Sequence, residues 1–102
     1  MARFERIASL GDVKDGEVTL FEVAGNPIAI ANVGGSLYGF HNVCTHMGCS
    51  LAQGVLNDSI VTCPCHGSQF DVTTGEVRRG PAFEPVATYP VQIRGDNIEV
   101  GV

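Results

Sequence analysis

All four cysteines and two of the three histidines of this 102-residue chain lie between positions 44 and 66, in two short segments. The first reads Cys44-Thr45-His46-Met47-Gly48-Cys49 and the second Cys63-Pro64-Cys65-His66-Gly67-Ser68. Isolated thiols or imidazoles need no special explanation, but soft ligands packed this densely into two loops point to a metal site. Any fold open to the chain must therefore bring these two segments together.

The remaining sequence is written for short strands. The 13 glycines and 5 prolines supply many turns. Stretches rich in β-branched or aromatic residues are expected as strands at 16–23, 28–33, 36–40, 59–62, 69–72, 86–93 and 97–100. Gly25-Asn26-Pro27, Gly34-Gly35, Asn57-Asp58, Thr74-Gly75 and Gly95-Asp96-Asn97 separate them and supply the bends of hairpins. The expectation is an all-β chain, a small antiparallel β-sandwich or barrel-like fold. Ser9-Leu10-Gly11-Asp12 resembles a capping box, so a brief helical turn is expected there, ending before Gly16. This length suits one domain over 1–102.

A formal charge of −5 and only six Lys and Arg argue against nucleic-acid binding. A basic protein partner suits the charge better, although acidity of this degree also simply keeps a small protein soluble. The charged start, Arg3-Phe4-Glu5-Arg6, predicts no secretory leader. The aliphatic run at 28–31 is far shorter than the ~20 residues of a membrane helix. A cytoplasmic protein with no membrane contact is expected.

Ligand spacing separates the metals. A Cys-x-His pair, sixteen intervening residues and a Cys-x-x-His pair match the Rieske pattern, in which two thiolates hold one iron of a 2Fe-2S cluster and two imidazoles the other. The alternative is zinc, for which Cys-x-x-His spacing also serves. Through Cys44-Thr45-His46 and Cys63-Pro64-Cys65-His66-Gly67 the chain resembles the Rieske ferredoxin family. The likeness extends to Phe70-Asp71 and to Gly80-Pro81, where the family has a third loop over the cluster. It implies that Cys44 and Cys63 hold the inner iron and that His46 and His66 hold the outer iron near the surface. It also implies a Rieske fold whose small cluster-binding subdomain spans about 41–83.

Cys49 and Cys65 exceed the four ligands required. By resemblance to the cytochrome bc type of Rieske protein they form a disulfide between the loops; two free thiols are the alternative in a reducing cytosol. Ser68 matches a serine that donates to a bridging sulfide, and Pro81 belongs to the covering loop. Phe70 stands where the high-potential branch has a tyrosine, or is simply core. One donor present and one missing place the potential between the extremes of the Rieske span, about −150 to +300 mV. Gly48, Gly67 and Gly80 are expected to let backbone N–H groups approach sulfur. Met47 is a candidate for an apolar docking rim, and His41 for packing or hydrogen bonding rather than ligation.

The function implied is a one-electron carrier between a flavoprotein reductase and a terminal oxygenase. No catalytic residue is expected, since only His41 remains for the triad of a mononuclear iron site. A small subunit of a nitrite reductase or respiratory complex is the second reading, and a zinc-stabilised interaction module the third.

Overall fold

Turn chemistry cuts the chain into short strands, and the computed structural model describes them over residues 3–45 and 48–102. In order they are β1 (Phe4–Ser9), β2 (Val18–Val23), β3 (Asn26–Val33), β4 (Ser36–His41), β5 (Val55–Asn57), β6 (Ile60–Thr62), β7 (Gln69–Asp71), β8 (Val77–Arg79), β9 (Thr88–Tyr89), β10 (Val91–Arg94) and β11 (Asn97–Gly101). All paired neighbours run antiparallel. They form three sheets, ordered β1-β11-β10, β2-β3-β4-β9 and β5-β6-β7-β8. Among the described residues no helix is long and apolar enough to cross a membrane.

The aliphatic run at 28–31 explains the layering. Ile28, Ala29, Ile30 and Ala31 are all fully inaccessible, because β3 has packed material on both faces. Successive side chains of a strand point to opposite sides. Ile28 and Ile30 therefore join Val13, Val23, Ile98 and Val100 in one core, against the β1-β11-β10 sheet. Ala29 and Ala31 face the other way, toward Phe40, Leu51, Phe70 and the cysteines Cys44 and Cys63. Size alternates across the strand pair: small Ala29 lies opposite bulky Phe40, which lets an aromatic ring fill this side of the core without overpacking.

The strand expected at 86–93 is two strands. Pro90 lacks an N–H and interrupts the ladder, so β9 pairs with β4 while β10 turns away to pair with β11. β1, β5 and β8 lay outside the expected strands. A register shift between Arg6 and Ala8 breaks the alternation of β1. The other two are only three residues long and find their strand character through partners. The turn after Ser9 is a 3₁₀ turn at Leu10–Asp12, in which the Ser9 N–H donates to Asp12 Oδ2 at 2.8 Å.

Buried Asp71 fastens the end of the small sheet. Its Oδ1 accepts from the Thr73 hydroxyl at 2.6 Å and the Thr73 N–H at 2.9 Å, while Oδ2 accepts from Arg78 at 3.0 Å. These donors, the Thr73 hydroxyl foremost, hold the carboxyl below its ordinary 3.8 in spite of burial. The stabilisation is therefore present in full above that value and disappears as pH falls through the lowered one. Asp71→Ala should cost about 2 kcal/mol near neutrality. Urea denaturation of both proteins from pH 6 to pH 3 should show the difference shrinking below 3.8; a pH-independent difference would assign the loss to packing instead.

Candidate metal centre

Cys44 and Cys63 each open a turn that closes in the same way. The Cys44 carbonyl accepts from the Gly48 N–H and the Cys44 N–H donates to the Cys49 carbonyl, both at 2.9 Å. Nineteen residues on, the pattern repeats: the Cys63 carbonyl accepts from Gly67 at 3.2 Å and the Cys63 N–H donates to Ser68 at 2.8 Å. Gly48 and Gly67 take φ of +77° and +80°, a left-handed conformation open to glycine without a Cβ clash. Their N–H groups thus close the turns on carbonyl oxygens. The donors facing the Cys63 sulfur are the N–H groups of Cys65 and His66, just ahead of Gly67.

Both cysteines are free thiols, exposed by only 2% and 3%. They face one another closely enough for a thiol–thiol hydrogen bond. Burial pushes the Cys63 thiol up, the neighbouring Cys44 thiol adds to the rise, and the Cys65 and His66 N–H groups pull it back without cancelling it. Two such thiols suit a soft metal centre, because a bound cation supplies the positive charge that keeps them as thiolates. His66 stands exposed on the second turn. His46 and Met47 lie outside the described residues, so the ligand and rim roles expected of them find no description here.

Cys49 and Cys65 form a disulfide that joins the turns. The sulfurs of Cys49, Cys63 and Cys65 lie within 4.8 Å of one another, so the bridge sits directly beside the Cys63 thiol. A third segment, 80–86, straps the turns from above. Fully buried Ser68 accepts from the Ala82 N–H at 3.0 Å, and Thr45 Oγ1 donates to the Glu84 carbonyl at 2.7 Å. Pro81 is exposed and follows a cis peptide bond from Gly80. At the far end of the strap the Val86 N–H donates to the Gly75 carbonyl at 2.9 Å. A Cβ at Gly75 would strike the Val86 carbonyl oxygen, so this seam closes only over glycine. Phe70 is fully buried in the core beneath. The His41 N–H donates to Ala87 at the base of the site.

Two residues that hold the site escaped the sequence reading. Buried Asn42 fixes the first turn from both sides: its Nδ2 donates to Ser50 Oγ and its Oδ1 accepts from the Ala52 N–H, each at 2.9 Å. Its position between an apolar strand and Cys44 was the available signal. Thr45 was read only as a spacer within the ligand motif.

Residues 4–90 match the family described as Rieske [2Fe-2S] domain. The ferredoxin component of biphenyl 2,3-dioxygenase from Rhodococcus jostii (strain RHA1) is 37% identical, over 93% of this chain and 89% of that protein. The solved ferredoxin of carbazole 1,9a-dioxygenase from Nocardioides aromaticivorans IC177 superposes with a TM-score of 0.91 at 35% identity, covering 95% of each chain. A chain from the complex of reduced oxygenase and oxidized ferredoxin in carbazole 1,9a-dioxygenase also gives a TM-score of 0.91, at 27% identity over 96% of this chain and 92% of that one.

The bridge spans a sequence separation of 16. Replacing both Cys49 and Cys65 by Ser should lower stability by about 3 kcal/mol, the loop-closure value for a span of this size. Intact mass of the wild type should rise by two hydrogens on reduction after denaturation. Equal masses before and after reductant would show that the bridge does not form.

Proposed function

The chain belongs to the Rieske [2Fe-2S] domain family, and from that premise we propose that it moves single electrons from a flavoprotein reductase to a terminal ring-hydroxylating oxygenase. It is the electron-transfer component of such a system and not its catalyst. Its cofactor is one Rieske-type 2Fe-2S cluster, whose chemistry when bound is reversible one-electron uptake. We assign Cys44 and Cys63 to the inner iron and His46 and His66 to the outer iron. We further assign residues 41–83 as the cluster-binding subdomain of a single domain over 1–102, and a cytoplasmic setting without membrane or nucleic-acid contact.

The observation that carries the ligand assignment is the buried, mutually facing pair Cys44 and Cys63 at the meeting of two twin turns. Metal-bound thiolates need hydrogen-bond donors to spread their charge, and the N–H groups of Cys65 and His66 already face one of these sulfurs. Ser68 supports the reading further. Its oxygen accepts from Ala82, which orients the hydroxyl while leaving its proton without an acceptor among the described residues. A buried hydroxyl in that condition suits donation to a sulfide, which favours the reduced state. Exposed His66 offers the route by which an electron leaves the buried thiols for a partner. The reductase enters the proposal because a carrier that gives electrons away must be refilled, and flavins convert paired electrons to single ones.

Iron and acid-labile sulfide should each be found at about two per chain, the content of a 2Fe-2S centre. His66→Cys should retain a cluster but lower its potential by on the order of 100 mV or more, since a thiolate adds negative charge at the reducible iron. Cys44→Ser should instead lose most of the cluster and unfold more readily. Voltammetry and iron analysis of the purified variants check both; an unchanged potential in His66→Cys would refute its place as a ligand.

A further inference from the structure

Phe83 is 86% exposed, although the residues on either side of it are fastened. Ala82 is buried and bonded through its N–H to Ser68, and the carbonyl of Glu84 is held by Thr45. Its backbone is thus pinned to both ligand turns, and its ring is held out into solvent beside them. Ser68 is two residues from His66, so the same bond fixes Phe83 close to the exposed histidine turn. Pro81 and Pro85, both exposed, flank it along the strap.

Charge is nearly missing from the segments that build this face. Of 11 acidic and 6 basic residues in the sequence, only Glu84 falls within the segments 44–49, 63–68 and 80–86, and Arg79 adjoins the strap with the opposite sign. The charge of −5 therefore arises from residues outside these segments. A surface of this kind does not suit a polyanion or a strongly basic partner. It suits an apolar hollow.

Resting on the carrier function proposed above, we infer that Phe83 is the docking anchor for the terminal oxygenase, inserting into an apolar hollow of the acceptor next to its electron-entry point. The acceptor must approach His66, and in doing so it covers Phe83. Ferredoxins of this shape occur in complex with oxygenase, which favours the acceptor as the occupant. Electron-transfer contacts are small, commonly below about 1,200 Å² in total, and one phenylalanine ring buries roughly 150–250 Å². A single pre-positioned aromatic then supplies a large share of the contact, in the manner of a hot spot whose ordering cost was met on folding.

The test uses cluster-loaded protein, reduced and mixed in stopped flow with the oxidised oxygenases of the biphenyl and carbazole systems. Phe83→Ala should raise the half-saturating ferredoxin concentration about tenfold, with the limiting transfer rate and the potential unchanged; a hot-spot residue has effects of this order. Phe83→Leu should recover most of the loss, and Glu84→Gln should shift half-saturation by less than about threefold. An effect of Phe83→Ala below about threefold, a shift in its potential, or a larger effect from Glu84→Gln would overturn the inference. So would a loss confined to reduction by the biphenyl-system reductase, or self-association of the wild type that Phe83→Ala abolishes. If the wild type reduces neither oxygenase, the carrier reading itself fails and the anchor falls with it.

Discussion

Bringing two buried thiols from separate loops together is the constraint on which the rest of this structure turns. Cys44 and Cys63 come from segments nineteen positions apart and arrive in a space exposed by only a few per cent. Desolvation disfavours the charged form of Cys63, and the peptide N–H groups aimed at it do not outweigh that effect. A metal cluster held by the pair, as proposed, would resolve this balance, because its positive charge would act at short range in a low dielectric. The surrounding features serve to hold the pair in place. Asn42 clamps the first turn, glycines close both, a disulfide links them, and the strap is bonded to each.

Function follows from the asymmetry between the two ends of this site. The thiols lie within a core that includes Phe40, Leu51 and Phe70, whereas His66 and, on the strap, Pro81, Phe83 and Pro85 face solvent. A carrier needs both properties: a rigid interior that changes little on gaining charge, and a surface through which a partner gains access. The second core, around Ile28, Ile30 and Ile98, lies on the other face of β3. It can therefore sustain the fold without taking part in the chemistry.

The parts most readable in the sequence were those fixed by local chemistry. Cysteine and histidine spacing indicated a metal centre, and paired turn residues marked most hairpins. Cys49 and Cys65 proved to be joined. Less was readable where tertiary context decides. β5 and β8 are too short to show a period, and the bulge after Arg6 hides the pattern of β1. Pro90 was visible in the sequence, but only the structure reveals that the chain changes sheets there. Asn42 and Thr45 look like ordinary loop residues until their partners, up to 39 positions away, are known.

The pairing of β4 with β9 has a consequence for how such a molecule can change over time. Gly39 lies opposite Tyr89 and Phe40 opposite Thr88, and the His41 N–H meets the Ala87 carbonyl at 2.8 Å. Everything that holds the thiols, including the whole β5-β6-β7-β8 sheet, is thus spliced between two neighbouring strands, and the splice ends are bonded to each other. An insert whose ends touch adds little closure cost whatever its length, and adjacent termini are where whole modules are tolerated. The redox apparatus is in this sense a transplantable cassette: it can lengthen, shorten or move to another pair of antiparallel strands while the host sheet keeps its register.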